Sequence, residues 1–218
     1  MTKAKLFLAV SLVSASLSAS PASANLILDV GPGGVPLPCN NCGNISGQTF
    51  GWSFEVTSPI KVDGIGAWDF GADGIGPALE AGLWDDSGSL LGSATISDAS
   101  SPEPSNGNGE WLFEDITMQT LLPGIYFTGL TFFDSTPLAQ FGTAFTTIPE
   151  VTYLNATVSN AGPNSGLVLP DSPFGPDGVF GSTLRVAQVS VPEPASVLSL
   201  LTLGTLGAVS TLKRQLKK

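Results

Sequence analysis

Histidine is absent from this 218-residue chain, and its absence excludes Ser-His-Asp and Cys-His catalysis and every His-ligated zinc site. Only two cysteines are present, too few for a four-cysteine metal centre or a disulfide-dense scaffold. Positive charge is scarce as well. Eight Lys and Arg stand against 18 Asp and Glu, a net charge of −10. Hydrophobic residues nevertheless make up 42% of the chain, which is enough for a core and excludes a disordered acidic polymer. What the sequence does have in abundance is 26 Gly and 17 Pro, which speaks against a helical bundle and for many turns.

Long apolar runs are confined to the two ends. Lys3 and Lys5 precede an apolar stretch over residues 6–13, followed by small residues up to Ala22-Ser23-Ala24. A basic start, a short apolar run and an A-x-A site read as a secretory signal peptide over residues 1–24, cut before Asn25. At the other end Val191-Pro192-Glu193-Pro194 precedes residues 195–212, which carry no charge, and then Lys213-Arg214-Gln215-Leu216-Lys217-Lys218. A helix of that length spans about 27 Å, which predicts a transmembrane segment. Its basic end should stay cytoplasmic, leaving the preceding domain outside.

Motif, apolar span and basic end in this order resemble the PEP-CTERM sorting signal of bacteria. The resemblance covers residues 191–218. It implies that Val191, Pro192, Glu193 and Pro194 form a sorting motif for an exosortase, a transpeptidase-like enzyme. It further implies an exported chain, held transiently in the membrane by its C-terminal helix and delivered to the cell envelope, the outer surface or the extracellular space. A permanent single-pass anchor is the alternative. A second Pro-Glu-Pro, at residues 102–104, has no apolar span after it and reads as loop.

Residues 25–190 remain, one domain's worth of chain. Within them Lys61 and Arg185 face 17 acids, a net charge near −15. Such a field repels nucleic acid and anionic lipid, so no nucleic-acid partner is expected. It suits solubility outside a cell and is compatible with calcium.

The pattern is β throughout. Phe50, Trp52, Phe54 and Val56 alternate with Gly51, Ser53, Glu55 and Thr57, the period-2 signature of a strand with one buried face. Leu79, Ala81 and Leu83 alternate likewise. After Asp85-Asp86-Ser87-Gly88 an apolar set resumes with Leu90, Ala94 and Ile96, predicting a hairpin. Further strands are expected over 60–68, 110–117, 125–133, 151–158 and 182–189. About eight short strands predict an all-β domain, an antiparallel sandwich or jelly roll. Residues 98–109 are polar enough to read as a mobile surface loop, and 160–178 as a second, longer one.

From residue 51 to 131 run Gly51-Trp52-Ser53-Phe54, Val62-Asp63-Gly64-Ile65-Gly66-Ala67-Trp68-Asp69, Ala81-Gly82-Leu83-Trp84-Asp85 and Leu122-Pro123-Gly124-Ile125-Tyr126-Phe127. This succession resembles a family of bacterial extracellular β-sandwich modules of unknown function, often found with PEP-CTERM tails. It speaks to fold more than to activity.

Cys39-Asn40-Asn41-Cys42 is a C-x-x-C in a Gly/Pro-rich arm with no helix after it. In an exported domain the pair is read as a local disulfide rather than a redox centre. Asp69-Phe70-Gly71-Ala72-Asp73-Gly74 places two carboxylates among glycines, chemistry that suits Ca²⁺, with Asp85, Asp171 and Asp177 as further candidate ligands. The competing reading is a turn whose Asp side chains bond their own backbone. Asp86-Ser87-Gly88 resembles the motif of aspartic proteases, but that chemistry needs a second copy, and a hairpin turn explains the residues. Glu114 and Asp115 are adjacent on a predicted strand and so point to opposite faces, which is wrong for a glycosidase pair. No enzyme is expected.

Trp52 belongs with Phe54 in the core. Trp84 shares a face with Glu80 and Gly82 and is the tryptophan expected to be exposed, where an aromatic platform could stack on a sugar. The expectation is therefore an exported, non-catalytic surface or matrix protein associated with exopolysaccharide or biofilm. Its alternative is a carbohydrate-binding module, with or without calcium.

Overall fold

The computed structural model describes residues 25–31, 35–36, 46–105, 108–133, 140–141, 144–175 and 180–187. Outside them lie the predicted signal peptide, Cys39 and Cys42, Asp177, the Val191-Pro192-Glu193-Pro194 motif and the apolar span 195–212.

Strands alone form the regular structure of the described residues. In chain order they are β1 (Asn25–Leu26), β2 (Leu28–Val30), β3 (Val35–Pro36), β4 (Thr49–Val56), β5 (Ile60–Phe70), β6 (Leu79–Asp85), β7 (Leu90–Ile96) and β8 (Ser101–Pro104). They continue with β9 (Gly109–Leu121), β10 (Gly124–Thr131), β11 (Gln140–Phe141), β12 (Phe145–Thr147), β13 (Val151–Val158), β14 (Ser172–Gly175) and β15 (Ser182–Val186). Every pairing is antiparallel. One sheet has the order β1-β15-β5-β9-β8, a second β14-β13-β4-β10-β6-β7, and the small pairs β11-β3 and β12-β2 complete the set.

The alternation read in the sequence sets which side chains turn inward. Trp52 and Phe54 of β4, Ile65 and Trp68 of β5, Leu79 of β6 and Trp111 of β9 are all fully buried and belong to one apolar cluster. Burial of each such side chain contributes about 1.5–3 kcal/mol. Two hydrogen bonds cross between the large sheets. The Trp52 indole N–H donates to the Ser182 carbonyl at 2.7 Å, and the Thr128 and Ser182 hydroxyls lie 3.1 Å apart.

The outer face of the six-stranded sheet is covered too, which explains why β4 is buried on both sides. Gly51, Gly129 and Gly82 stand side by side in register on β4, β10 and β6. Side-chain-free backbone at these positions leaves a shallow trough across three strands. The segment between β13 and β14 lies over it. Asn164 and Gly166 donate backbone N–H groups to Ser46 and Gly47, and Val168 N–H reaches the Thr49 hydroxyl at 2.9 Å. Pro170 then sits so close over Gly129 that a β-carbon there would come within 3.1 Å of its ring.

Two loop expectations need correction. Residues 98–109 contain β8, which pairs along β9 with Pro102 opposite Leu112 and Glu103 opposite Trp111. Prolines fit there because β8 is the edge of its sheet and one side of it needs no ladder donors. Residues 160–178 contain β14, another edge strand, and otherwise serve as the cover just described.

The ends of the two sheets differ. One end carries residues 57–59 between β4 and β5, the β6–β7 turn, the β9–β10 turn, and the start of β13. Strand β15 finishes there at Val186, opposite Asn25 of β1. The other end carries the β5–β6 loop with Asp69 and Asp73 and the connection from β7 to β8 with Asp98. Strand β5 runs between them for 11 residues, a separation of about 33 Å at the rise of an extended chain.

Candidate functional site

The β5–β6 loop begins where β5 can no longer follow the sheet. Gly71, Ala72 and Gly74 all take positive φ, at 87°, 53° and 104°, so the chain doubles back within four residues. Such a turn strands backbone donors, and two carboxylates satisfy them. Asp69 Oδ2 accepts from the Gly74 N–H at 2.9 Å, and Asp98 Oδ1, from the other connection, accepts from the Ile75 N–H at 2.8 Å. Asp69 is buried while Asp73 and Asp98 are exposed. Burial pushes the Asp69 carboxyl above the ordinary aspartate value. The Gly74 N–H opposes that shift, and the nearby Asp73 and Asp98 charges add to it.

This geometry fits the turn reading of Asp69: its carboxylate faces inward to the loop backbone. Asp98, which sequence spacing did not single out, is the carboxylate that joins it. Its only signal was Ser97-Asp98 following the apolar end of a predicted strand. Among the described residues no three acidic side chains converge so as to hold a metal ion. Asp85 lies at the opposite end of the sheet and Asp171 in the covering segment, so neither is brought to Asp69 and Asp73.

Asp85 has its own local task. Its Oδ1 accepts from the Ser87 N–H, the Ser87 hydroxyl at 2.6 Å and the Ser89 N–H, closing the β6–β7 turn. The Ser87 hydroxyl, followed by these amides, holds the Asp85 carboxyl below its usual value. Asp86-Ser87-Gly88 is thus a hairpin turn, with Gly88 at φ 83°.

Trp84 differs from expectation. It does occupy the outer face of β6, but only 4% of it is exposed. The indole folds back along the strand over Gly82, whose missing side chain makes room for it: a β-carbon there would lie 2.5 Å from the ring. The covering segment crosses the same face, with Leu169 over Gly88 and Pro170 over Gly129. Alternation correctly placed Trp84 outside the core cluster; a glycine two residues back lets the ring fold down onto its own strand.

Glu114 and Asp115 do point apart. Glu114 accepts from the Ser100 hydroxyl at 2.6 Å, whereas Asp115 shares Arg185 with Asp63. Arg185 lies flat against Gly64, with Asp63 at 2.8 Å from Nε, and faces the Phe113 ring. Burial works against its charge, but the bonds to Asp115 and Asp63 more than offset this and raise its pKa.

No protein-family model, curated protein or solved structure matches this chain.

Among the described residues there is also a concave feature. A groove of about 520 Å³ lies at the end of the sheets where β15 finishes, lined by Pro59, Ile60, Lys61, Ile148, Pro149 and Val186 among others. It is mainly apolar and holds one cation, Lys61, and one anion, Glu150. Its floor is fixed by backbone bonds from Ala187 N–H to Lys61 and from Thr57 N–H to Glu150.

Proposed function

We propose that this chain is an exported, non-catalytic protein of the cell surface or extracellular matrix, sorted by a PEP-CTERM-type tail, and that its sheets build a jelly-roll-like sandwich. The observation that carries the reading is the order of signals at the C-terminus: Val191-Pro192-Glu193-Pro194, an uncharged span and a basic end. The fold is compatible with it. Asn25, the first residue after the proposed cleavage point, pairs with Val186, so both terminal signals attach to one end of the domain and leave the other free. An exosortase-type enzyme is the proposed processing partner, and extracellular polysaccharide the proposed surroundings. Calcium at Asp69 and Asp73 would have to displace the bond from Asp69 to Gly74, and a glycan platform would have to be a ring other than the covered Trp84.

Fractionation of the native host tests this, with mass spectrometry of the recovered chain. The expected result is a chain beginning at Asn25 and shortened near Pro194 in the envelope or medium. Removal of residues 191–218 should send it to a different fraction. A cytoplasmic chain retaining residues 1–24 refutes the proposal.

A further inference from the structure

The large apolar side chains exposed on the described surface are not scattered. They are Leu90, Met118, Leu122, Ile125 and Phe174, each at least 40% exposed. Leu122 lies in the β9–β10 turn and Ile125 just after it, Leu90 starts β7, and Met118 is three residues from the end of β9. Four of the five therefore occupy one end of the sheets, the end that also holds the apolar groove and exposed Pro59, Pro123 and Pro149. Phe174 is explained separately, edge-on against Phe50 at 5.1 Å.

We infer that this apolar end is a membrane-contacting surface, on which the domain rests against a zwitterionic lipid bilayer while the tail, before it is cut, spans that bilayer. The inference rests on the proposed function for the tail, and it adds an orientation and a partner that the tail does not supply. Three features of the chain select lipid as the occupant. The described chain leaves this end at Ala187, and residues 195–212 are long enough to cross the hydrocarbon core. Seven residues lie between Ala187 and Ala195, so eight chain steps hold the end within about 29 Å of the bilayer even with the connection fully extended. The first residue after the proposed signal peptide, Asn25, is paired at the same place, so both apolar segments lead back to one surface.

Charge then chooses the lipid. Lys61 is exposed beside the groove, but Glu55, Asp86 and Glu150 surround the same end, and the domain as a whole is strongly acidic. Shallow contact by leucine, isoleucine, methionine and proline suits uncharged headgroups, and an anionic leaflet repels the acids. In this orientation the Asp69–Asp98 loop points away from the membrane, at the far end of β5.

The test uses the full chain reconstituted into phosphatidylcholine vesicles with brominated acyl chains, which quench tryptophan only on close approach. Two reporters are compared over the background of the four native tryptophans: Leu122→Trp at the apolar end and Ala99→Trp at the far end. Flotation of the vesicles reports the tail independently. The expected result is flotation of both variants, loss of most of the Leu122→Trp emission and none of the Ala99→Trp emission. Replacing part of the lipid by phosphatidylglycerol should weaken the quenching. The combined change Leu90→Glu and Met118→Glu should abolish it without affecting flotation. Flotation with neither reporter quenched, or with both quenched alike, overturns the docking surface and leaves the tail assignment standing. A chain that fails to float overturns the tail assignment and this inference with it.

Discussion

Replacing Trp52 by Phe tests how the two large sheets are joined. Trp52 is fully buried in β4, and its indole N–H donates at 2.7 Å to the Ser182 carbonyl in β15 of the opposite sheet. Phenylalanine retains an aromatic ring next to Phe54 and Phe180, whose centroids lie 4.9 and 6.3 Å away, but it removes the donor. A buried carbonyl losing its partner costs about 1–3 kcal/mol. The smaller ring leaves a void and gives up buried area, a further loss of about 1–2 kcal/mol for roughly two methylene equivalents. The expected total is about 2–4 kcal/mol, since the two losses share one relaxing site. With a urea slope of about 2 kcal/mol/M, the midpoint should fall by about 1–2 M at unchanged slope. The assay is equilibrium urea unfolding of the chain followed by circular dichroism. A midpoint shift below about 0.3 M would show that the Ser182 carbonyl gains nothing from the indole, and would refute this account of the sheet contact.

Four further outcomes follow from the geometry. Gly82→Ala should destabilise the protein by about 1–3 kcal/mol and shift Trp84 emission to the red, because a β-carbon cannot share the space under the indole; unchanged emission would count against the folded-back ring. In an NMR titration Asp69 should lose its proton above the ordinary aspartate value of 3.8 and Asp85 below it. Because the folded state binds the Asp69 proton more tightly than the unfolded chain, this group favours folding at low pH and loses that contribution as pH rises through its folded pKa. Asp69→Asn should therefore be more stable than the wild type at neutral pH, with the gap narrowing as pH falls through the raised folded pKa and gone below pH 3.8, as followed by thermal melts across the acid range. Asp115→Asn should change stability by no more than about 0.5 kcal/mol, since Asp115 is largely exposed, while Asp63→Asn at the better-covered contact should cost more; equal costs in chemical denaturation would contradict that ranking.

Much of the sheet structure was legible in the sequence because it follows from period-2 alternation, a local property. The strand expected over 151–158 is found as Val151–Val158, and the Leu79–Asp85 and Leu90–Ile96 hairpin stands where its Gly-containing turn placed it. Strands 60–68 and 110–117 were recognised but cut short. Their last residues, Asp69 and Phe70 in one case and residues 119–121 in the other, stay in the ladder by pairing with each other's strand. The short strands β1 to β3, β8, β11, β12 and β14 carry too few residues for alternation to register; β1, β8 and β14 lie along the edge of a longer strand, and β2 with β12 and β3 with β11 pair only with each other. Burial of Trp84 was hidden for a related reason. It depends on the room left by Gly82, on a face that Leu169, 81 positions after Gly88, also helps to cover. Asp98 joining Asp69 is of the same kind, with 23 residues between Asp98 and the amide it holds.

The pairing of first strand with last has a kinetic consequence. The Trp52 indole must wait for Ser182, 130 residues later, before it has its acceptor, and β5 lacks one neighbour until β15 arrives. During synthesis the N-terminal two thirds of the chain can form the β6–β7 and β8–β9 pairs but cannot close the sheets. Partners so distant in sequence place this domain among the slow folders, with relaxation times of milliseconds to seconds. Closure of the sheets is thus timed by the arrival of residues 182–186, which lead directly into the apolar C-terminal stretch.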